Sequence, residues 1–583
     1  MQLNISKTTI NGLRLLTKGK VLFLLILGNL SAISLGFIEM AFGLLLLLIL
    51  QLFGFGLGEV DKPWPITNWN PDETTLILVI ILILLTRSVL NFLTEISGIF
   101  AYVNIQIKLK IATYYELLQR NEPAFLSAAE INYRTTEICG KTSSFIMALN
   151  SLLNASLLCS VLFITLLLLS WELTLIGLAI FSLAGLPIIM INKKIGTMAS
   201  MLPEKNLKIN RGNLKITRNW LLMRILKTQD QEYENLTNLN LDYGNLDIKV
   251  SALTSINTIL PTFMGGLLVI LLIFINLIWL EINPGTFVSF IYVFIRFQGS
   301  IAAGIGKIGS IQKNKPQFKI ALELLDKLQP EEGIKISLPL KKLNLIKSNK
   351  DYTHSYKFFN KDKTISKTPP EIKLKELEFS YFPNQKTIFS NLNLTIKSGS
   401  QFAIVGPSGS GKSTLLAIIL GLIQPTNGQV LIDQIRPQDY FKKSSTPLGF
   451  VGAESFLIEG SISENIRYGA QNHLNISDQS CIKALREARL GDLIDAEPNF
   501  LDRKINENGE GLSAGQKQRL CLARALLVKP KFLILDEISA NLDDQTELEI
   551  VDTVKKLKGV CTTIIVSHRS AMLKFADEII TID

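Results

Sequence analysis

Apolar runs long enough to cross a lipid bilayer dominate the first 305 residues of this chain. A helix needs about 20 apolar residues to span the hydrocarbon core. Because a backbone in lipid must satisfy its own hydrogen bonds, such runs are expected to be helical. Six runs predict six transmembrane helices; they cover about 21–53, 75–100, 143–170, 173–192, 252–280 and 286–304.

The loops between these runs differ in charge. Those on one side, about 54–74, 170–172 and 281–285, contain a single basic residue, Lys62, whereas the opposite loops are rich in Lys and Arg. Excess positive charge marks the cytoplasmic side of a membrane protein. We therefore predict a multi-pass protein of the plasma (inner) membrane with both termini in the cytoplasm. The Lys and Arg residues of these cytoplasmic loops also account for the net charge of +10. Nucleic acid is therefore not an expected partner.

Two of the cytoplasmic connections are unusually long. Residues 100–142 and 193–250 have helical composition and few helix breakers. We expect the membrane helices to continue through them and to turn at two tips, near 121–129 and 218–226.

Ionisable residues inside the predicted spans are Glu39, Arg87, Glu95 and Arg296. A charge in this environment is unfavourable unless it is paired or functional. Two interpretations stay open: an ion pair such as Glu39–Arg87 that joins two helices, and a substrate cavity in which Arg87 and Arg296 contact an anionic group.

Composition divides the chain into four parts. Residues 1–20 form a cytoplasmic segment, 21–326 a transmembrane domain, 327–370 a lysine-rich linker and 371–583 a domain in which strands and helices alternate. The lysine-rich segment is expected to be solvated, with contact to acidic lipid headgroups as the alternative.

Residues 406–414 read GPSGSGKST and fit G-x-x-x-x-G-K-[ST], a loop whose backbone N–H groups bind phosphate. The loop follows a predicted strand at 401–406 and precedes a predicted helix at 413–422. This strand–loop–helix context is the one that a phosphate-binding loop requires.

Two more apolar strands end in polar residues. Residues 531–537 end in Asp536 and Glu537, and residues 561–568 end in His568. Ligands of open α/β sheets bind at the carboxyl ends of the strands. The sequence therefore predicts that these side chains meet the phosphate-binding loop.

Residues 512–516 read LSAGQ. Together with the loop, FLILDE, SANLD and the terminal histidine, this pentapeptide resembles the signature of ABC transporters of the exporter type. The resemblance covers nearly the whole chain and implies a six-span α-helical transmembrane domain fused ahead of an α/β P-loop NTPase cassette.

The resemblance also implies roles for individual residues. Lys412 would contact the β- and γ-phosphates of ATP, Ser413 and Asp536 would hold Mg²⁺, Glu537 would act as general base and His568 would contact the γ-phosphate. The residues expected to bind nucleotide are Tyr381, Gly406, Pro407, Ser408, Gly409, Ser410, Gly411, Lys412, Ser413, Thr414, Ser513, Ala514, Gly515 and Gln516.

In the family, the signature faces the ATP held by another cassette, and Asp543 matches a position of cross-dimer contacts. One chain carries one cassette, so the expected partner is a second copy. The implied function is an ATP-driven exporter or a lipid flippase with an amphipathic or lipid-like cargo. FIE in the first span, Arg87 and Arg296 resemble the pattern of lipid-linked oligosaccharide flippases. Export of a peptide, drug or polysaccharide and an ATP-hydrolysing sensor that moves no cargo remain the alternatives.

The chain departs from the family pattern at three places. Ala514 replaces a common glycine of the signature. Ala453 occupies the place of a glutamine that usually ligates Mg²⁺, and Glu454 is a candidate substitute for it. The family usually continues beyond the position of Asp583 with a glycine turn and a last helix.

Overall fold

A computed structural model describes residues 16–582 except 18, 53–71, 120–126, 184, 281, 328–367, 382–386, 444–447, 471–475, 507–508 and 539–543. Lys62, Asp543 and most of the predicted linker lie outside the described residues. The chain forms two compact units, an N-terminal helical unit and a C-terminal α/β unit.

The N-terminal unit is helical throughout its described part. Its helices are α1 (Lys20–Leu52), α2 (Glu73–Gln119), α3 (Ala128–Leu169), α4 (Trp171–Leu183), α5 (Gly185–Ala199), α6 (Leu202–Ile225), α7 (Gln229–Ile275) and α8 (Pro284–Lys327). Helix α3 contains one π-helical turn at Arg134–Ile138, and α7 runs into another at Asn276–Leu280.

Five helices, α1, α2, α3, α7 and α8, are long and apolar enough to cross a membrane. A sixth span results if the pair Trp171–Ser182 and Pro187–Asn219 is counted as one. The span predicted over about 173–192 is bent in the structure, because these two segments meet at 43°. Pro187 lies in the first turn of α5, where its missing N–H is tolerated.

The predicted helical continuations are confirmed. Helix α2 has 47 residues, a length of about 70 Å, which is more than twice the thickness of a hydrocarbon core. The first predicted tip, near 121–129, lies mostly outside the described residues, between Gln119 of α2 and Ala128 of α3. The second turn lies at 226–228, at the very end of the predicted tip, and α6 is kinked before it at Asn219.

Helix α8 is central to the N-terminal unit and packs against α1, α3, α5 and α7. Its buried Phe290 and Phe294 share an apolar cluster with Leu166 of α3 and Leu272 of α7. Helix α2 instead exposes large apolar side chains such as Leu78, which is 67% exposed. An exposed apolar face of this kind is suited to lipid rather than to water.

The C-terminal unit contains ten described strands. They are β1 (Ile372–Phe379), β2 (Phe389–Ile396), β3 (Gln401–Val405), β4 (Asn427–Ile432), β5 (Leu448–Val451), β6 (Gly460–Ser461), β7 (Lys504–Ile505), β8 (Phe532–Asp536), β9 (Thr562–Val566) and β10 (Glu578–Thr581). A parallel sheet has the order β10-β3-β9-β8-β5, an antiparallel sheet has the order β2-β1-β4, and β6 pairs with β7. The three predicted apolar strands are confirmed as the adjacent parallel strands β3, β9 and β8.

The helices of this unit flank the sheets. They are α9 (Lys412–Ile419), α10 (Pro437–Lys443), α11 (Ile462–Arg467), α12 (Asp478–Glu487), α13 (Gly491–Ala496), α14 (Ala514–Leu527), α15 (Asp544–Lys555) and α16 (Ser570–Leu573). Helix α9 ends three residues before the predicted 422, because Gly421 turns the chain with a φ of 71°.

The central strands of the parallel sheet, β3, β9 and β8, are buried on both faces. Phe532 and Ile534 of β8 belong to the same apolar cluster as Leu415 of α9, whereas Leu533 and Leu535 belong to the cluster that contains α14. Successive side chains of a strand point to opposite faces. The continuous apolar run of β8 thus fills two cores and fixes the sheet between α9 and α14.

Candidate functional site

The phosphate-binding loop connects β3 to α9. Lys412, the first residue of α9, is 8% exposed. Its ammonium group donates hydrogen bonds to the carbonyl oxygens of Gly406 (2.7 Å) and Pro407 (2.9 Å). The loop is therefore curled around the cation that is predicted to contact phosphate.

Glycine is required at Gly411, which precedes α9. Its φ is 101°, in the left-handed region. A Cβ atom at this position would lie 2.5 Å from Cγ2 of Ile388 and 3.0 Å from Cζ of Phe389. The close approach of the loop to these two residues fixes the start of the helix.

We expect Gly411→Ala to destabilise the C-terminal unit by about 1–3 kcal/mol through this overlap, in addition to backbone strain. The measurement is thermal unfolding of the full chain without nucleotide. Gly409→Ala is the matched control, because Gly409 also has a positive φ (85°) but no atom within 4 Å of its added Cβ. Equal effects of the two substitutions would contradict the expected clash.

Asp536, Glu537 and His568 meet beside this loop at the carboxyl ends of β8 and β9. Glu537 follows β8, and its N–H donates to the carbonyl oxygen of Val566 at the end of β9 (2.9 Å). Its carboxylate Oε1 lies 3.8 Å from Nε2 of His568, beyond direct hydrogen-bond distance. Both side chains are more than 40% exposed and so are open to a ligand.

Asp536 is half-buried at the end of β8. Burial raises the pKa of Asp536 above its usual range, the negative charge of Glu537 raises it further, and the Lys412 ammonium opposes both. A cation bound at this carboxylate would replace the proton that burial favours.

The loop that carries His568 is held by an ion pair whose carboxylate is buried. The Ser567 hydroxyl accepts a hydrogen bond from the N–H of Arg569 (3.1 Å). The Arg569 guanidinium pairs with Glu547 of α15 (2.9 Å), whose carboxylate is 5% exposed. The backbone at His568 is thus held by contacts of its neighbours Ser567 and Arg569, while the imidazole ring stays accessible.

Tyr381 lies against the phosphate-binding helix. Its hydroxyl is 2.9 Å from Oγ1 of Thr414, and its ring meets Phe379 edge-on with centroids 5.0 Å apart. The side chain is 48% exposed. The structure therefore brings the predicted adenine-stacking residue to the loop, and the stacking itself stays a prediction.

The predicted signature residues lie at the N-terminus of α14. Ser513 is the N-cap residue: its hydroxyl accepts from the N–H of Gln516 (3.2 Å), and the Gln516 side chain accepts from the N–H of Ser513 (2.8 Å). This reciprocal pair is a capping box. Ala514 and Gly515 form the first turn of the helix, where backbone N–H groups favour an anion.

The position of the replaced glutamine follows β5. Ala453 and Glu454 are both exposed. Within the described part of the chain the Glu454 carboxylate has no hydrogen bond or ion pair, so its proposed substitution for glutamine stays a hypothesis.

The residues at this edge fit a nucleotide with Mg²⁺. The Ser410 hydroxyl is buried and has no partner among the described residues. The Ser413 side chain is exposed beside Lys412 at the start of α9. Asp536 ends β8, which is separated from β3 by β9. Within the described ranges, no cluster of three or more His, Cys, Asp or Glu could hold a metal. Mg²⁺ differs from other metals in needing only one or two protein ligands when phosphates supply the rest.

Comparisons with known proteins agree with this geometry. The family model for the ABC transporter matches residues 389–540. An uncharacterised ABC transporter ATP-binding protein of Sinorhizobium fredii is 38% identical over 216 residues, which are 37% of this chain but only 36% of that protein. The lipid A-core flippase 2 of Colwellia psychrerythraea, described as ATP-dependent, is 25% identical over 87% of this chain and 83% of the flippase. A lipid A-core flippase of Syntrophus aciditrophicus is 25% identical over 90% of this chain and 82% of its own length.

Residues 389–540 form a domain of the ABC transporter family. The C-terminal unit is thus a nucleotide-binding cassette, and the matched region contains the loop, the signature and Asp536–Glu537. The similarity to the two flippases extends over most of the chain, and five described helices are long and apolar enough to cross a membrane. Together these findings indicate a membrane protein.

The predicted cavity arginines meet at one carboxylate inside the candidate spans. Glu39 of α1 is 2% exposed. Its Oε1 lies 2.9 Å from Nε of Arg87 on α2, and its Oε2 accepts from Nε of Arg296 (2.9 Å) and from the Tyr292 hydroxyl (2.8 Å), both on α8. Arg296 makes a second contact, from Nη2 to Oε1 of Glu39. Glu95, in contrast, is exposed and has no partner within the described ranges.

The predicted Glu39–Arg87 ion pair is present, and Arg296 extends it. Glu39 is shared by two arginines rather than paired with Arg87 alone, so the cluster carries one excess positive charge. Arg87 is 28% exposed and Arg296 is 36% exposed. Sharing one carboxylate does not neutralise both guanidinium groups, and both remain accessible.

Two features of the cassette escape the sequence motifs. Gln518 donates a hydrogen bond to the backbone of Glu537, and the Glu547–Arg569 pair holds the loop of His568; neither lies within the motifs identified from the sequence above. The one signal for Gln518 is a polar residue amid the buried positions of α14.

Proposed function

We propose that this ABC transporter hydrolyses ATP to export or flip an amphipathic, lipid-like cargo across the plasma (inner) membrane. The observation that supports it best is the convergence of Lys412, Asp536, Glu537 and His568 at one sheet edge. The same chain has five, or with the bent pair six, candidate spans among its described residues. An ATPase site joined to that much apolar helix suits energy-driven movement through a membrane.

The residues of the site have distinct roles in hydrolysis. The Lys412 ammonium neutralises charge on the β- and γ-phosphates, and the Glu537 carboxylate accepts a proton from the attacking water. His568 contacts the γ-phosphate from the neighbouring strand. Bound Mg²⁺, held by Ser413 and Asp536, would neutralise charge on the phosphate oxygens.

A second copy completes each site. One chain carries one phosphate-binding loop and one signature, and Ser513, Ala514, Gly515 and Gln516 would face the ATP of the partner. Helix α14 supports this role because its capped N-terminus favours an anion. Residues 21–326 form the transmembrane domain, 327–370 the linker and 371–583 the cassette, with both termini and the cassette cytoplasmic.

The arginine cluster favours a cargo with an anionic headgroup. Arg87 and Arg296 share one carboxylate, and the excess positive charge lies within the spans, where a charge without a counterion is unfavourable. Two relatives that align over most of the chain are named lipid A-core flippases. A lipid-linked glycan is accordingly the leading cargo; peptides, drugs and polysaccharides are the other candidates.

The test is reconstitution of the purified full chain in vesicles that contain a fluorescent lipid with a pyrophosphate-linked sugar headgroup. We expect ATP to move the lipid between leaflets, as measured by accessibility to a membrane-impermeant quencher. Lys412→Ala should abolish both this movement and ATP hydrolysis, because the phosphates lose their cation. ATP hydrolysis without movement of this lipid or of a matched neutral lipid would reject the flippase.

A sensor that hydrolyses ATP without moving cargo is the second candidate. The observation that favours it is Ala453, since the usual glutamine links nucleotide state to the helices in related transporters. Ala453→Gln separates the two functions. In a transporter the substitution should change the stimulation of ATP hydrolysis by cargo, whereas in a sensor no cargo lipid would alter the rate before or after it.

A further inference from the structure

Gln518 of α14 contacts the backbone of Glu537. Its side-chain amide Nε2 donates a hydrogen bond to the Glu537 carbonyl oxygen (3.1 Å), and its side chain is 2% exposed. A carbonyl oxygen only accepts hydrogen bonds, so the amide nitrogen must be the atom that faces it. The bond joins the signature helix to the residue proposed as general base.

Glu537 has a backbone conformation that needs such support. Its φ is 53°, in the left-handed region that non-glycine residues rarely adopt. Strained conformations persist at functional sites only where the surrounding structure holds them. The N–H of Glu537 is held by the Val566 carbonyl, and its own carbonyl is held by Gln518. Both peptide groups that flank the Glu537 Cα atom are therefore fixed.

Packing alone does not account for this glutamine. Its Oε1 is buried and has no hydrogen-bond partner within the described part of the chain. A buried polar atom without a partner is unfavourable, and methionine would fill similar space without that penalty. The donated hydrogen bond to Glu537 is what distinguishes the amide from an apolar side chain.

We propose that Gln518 is a positioning residue for ATP hydrolysis. It holds the strained turn at Glu537 and so directs the carboxylate toward the attacking water, without contacting substrate itself. The same helix begins beside Ser513, so one rigid element connects the signature with the base of the same chain. This inference rests on the proposed ATPase function and adds a residue to its machinery.

The matched control is Gln401 at the start of β3. It is fully buried, its Nε2 donates to the Val554 carbonyl (2.7 Å), and its Oε1 also lacks a described partner. Gln401→Met removes the same kind of bond from the same unit, but away from Glu537. A purely structural effect of losing a buried amide should therefore appear equally in both variants.

The experiment measures ATP hydrolysis by the full chain. We expect Gln518→Met to lower kcat by roughly 10- to 100-fold through misplacement of the base, with KM for ATP within about twofold of the parent. Gln401→Met should leave kcat unchanged. In a Glu537→Gln background, Gln518→Met should not lower the residual rate further, because the group that it positions is already gone.

Two outcomes would overturn the inference: a parental kcat in Gln518→Met, or an equal fold-loss in both backgrounds. If Gln518→Met does not fold, Gln518→Asn keeps the amide but withdraws it by one methylene and should show the same loss. An inactive parent would reject the proposed ATPase itself, whereas full activity in Glu537→Gln would reject Glu537 as its general base. If Glu537→Gln lowers kcat as expected but Gln518→Met does not, the positioning role alone is rejected.

Discussion

Glu537→Gln is expected to slow ATP hydrolysis by at least about 100-fold, the scale of general base catalysis, while nucleotide binding persists. The amide keeps the volume of the side chain but cannot accept the proton of the attacking water. The left-handed backbone turn and its two hydrogen bonds do not involve the carboxylate, so the site should stay folded. The measurements are steady-state hydrolysis and equilibrium binding of ATP.

Two controls define the meaning of this result. Glu487→Gln removes an exposed carboxylate at the end of α12 and should leave the rate unchanged. Lys412→Ala should lose binding together with hydrolysis, so the two site variants are expected to differ in affinity. Substantial hydrolysis by Glu537→Gln would assign the base to another residue.

Glu537→Gln also offers a route to the cargo. A variant that binds ATP without turnover should accumulate as a nucleotide-bound dimer, and mass spectrometry can identify what purifies with it. A lipid pyrophosphate would support the flippase, whereas a peptide would contradict it. A monomer in the presence of ATP would contradict the proposed second copy.

The catalytic edge was predictable because its parts obey local rules. Short apolar strands with polar residues at their ends specify buried parallel strands, and parallel strands place those ends together. Lys412, Asp536 and His568 could therefore be assigned to one site without knowing any long-range contact. Their order in the sheet, β3-β9-β8, needed the structure, since it does not follow chain order.

The contacts around that edge were not predictable. Gln518 is one of several polar residues in a helix, and only the rotation of α14 against β8 decides that it faces Glu537. Glu547 and Arg569 are separated by 22 positions, and neither residue lies in a motif identified from the sequence. Sequence periodicity identifies a helix face but does not name the backbone group that it meets.

In the spans, hydropathy predicted where the helices lie but not where they bend. An average over 173–192 conceals Pro187, although the proline and the nearby Gly185 were a usable signal for the break. The pairing of Glu39 with Arg87 was one open possibility, but its sharing with Arg296 joins residues 257 positions apart. No local pattern encodes a contact over that distance.

Glu39→Met is expected to cause the largest loss of stability in the helical unit, about 3–5 kcal/mol, toward the lower value because both arginines are partly exposed. The substitution leaves two guanidinium groups and the Tyr292 hydroxyl without their acceptor. It raises the charge of the cluster from one positive charge to two, in helices suited to lipid. Thermal unfolding of the full chain in detergent measures the loss of stability. Glu95→Gln is the control: it removes an exposed carboxylate of a span that has no described partner, and it should have little effect on stability.

The double variant Glu39→Met/Arg296→Met separates lost charge balance from lost packing. It restores the single excess charge and leaves Arg87 as the only member of the arginine pair, so it should be more stable than Glu39→Met alone. This gain is expected because Arg296 makes two of the contacts to Glu39 and is the arginine most dependent on it. If the double variant were less stable by the sum of both single losses, the three side chains would act independently. Equal stability of Glu39→Met and the parent would show that the carboxylate is not what joins α1, α2 and α8.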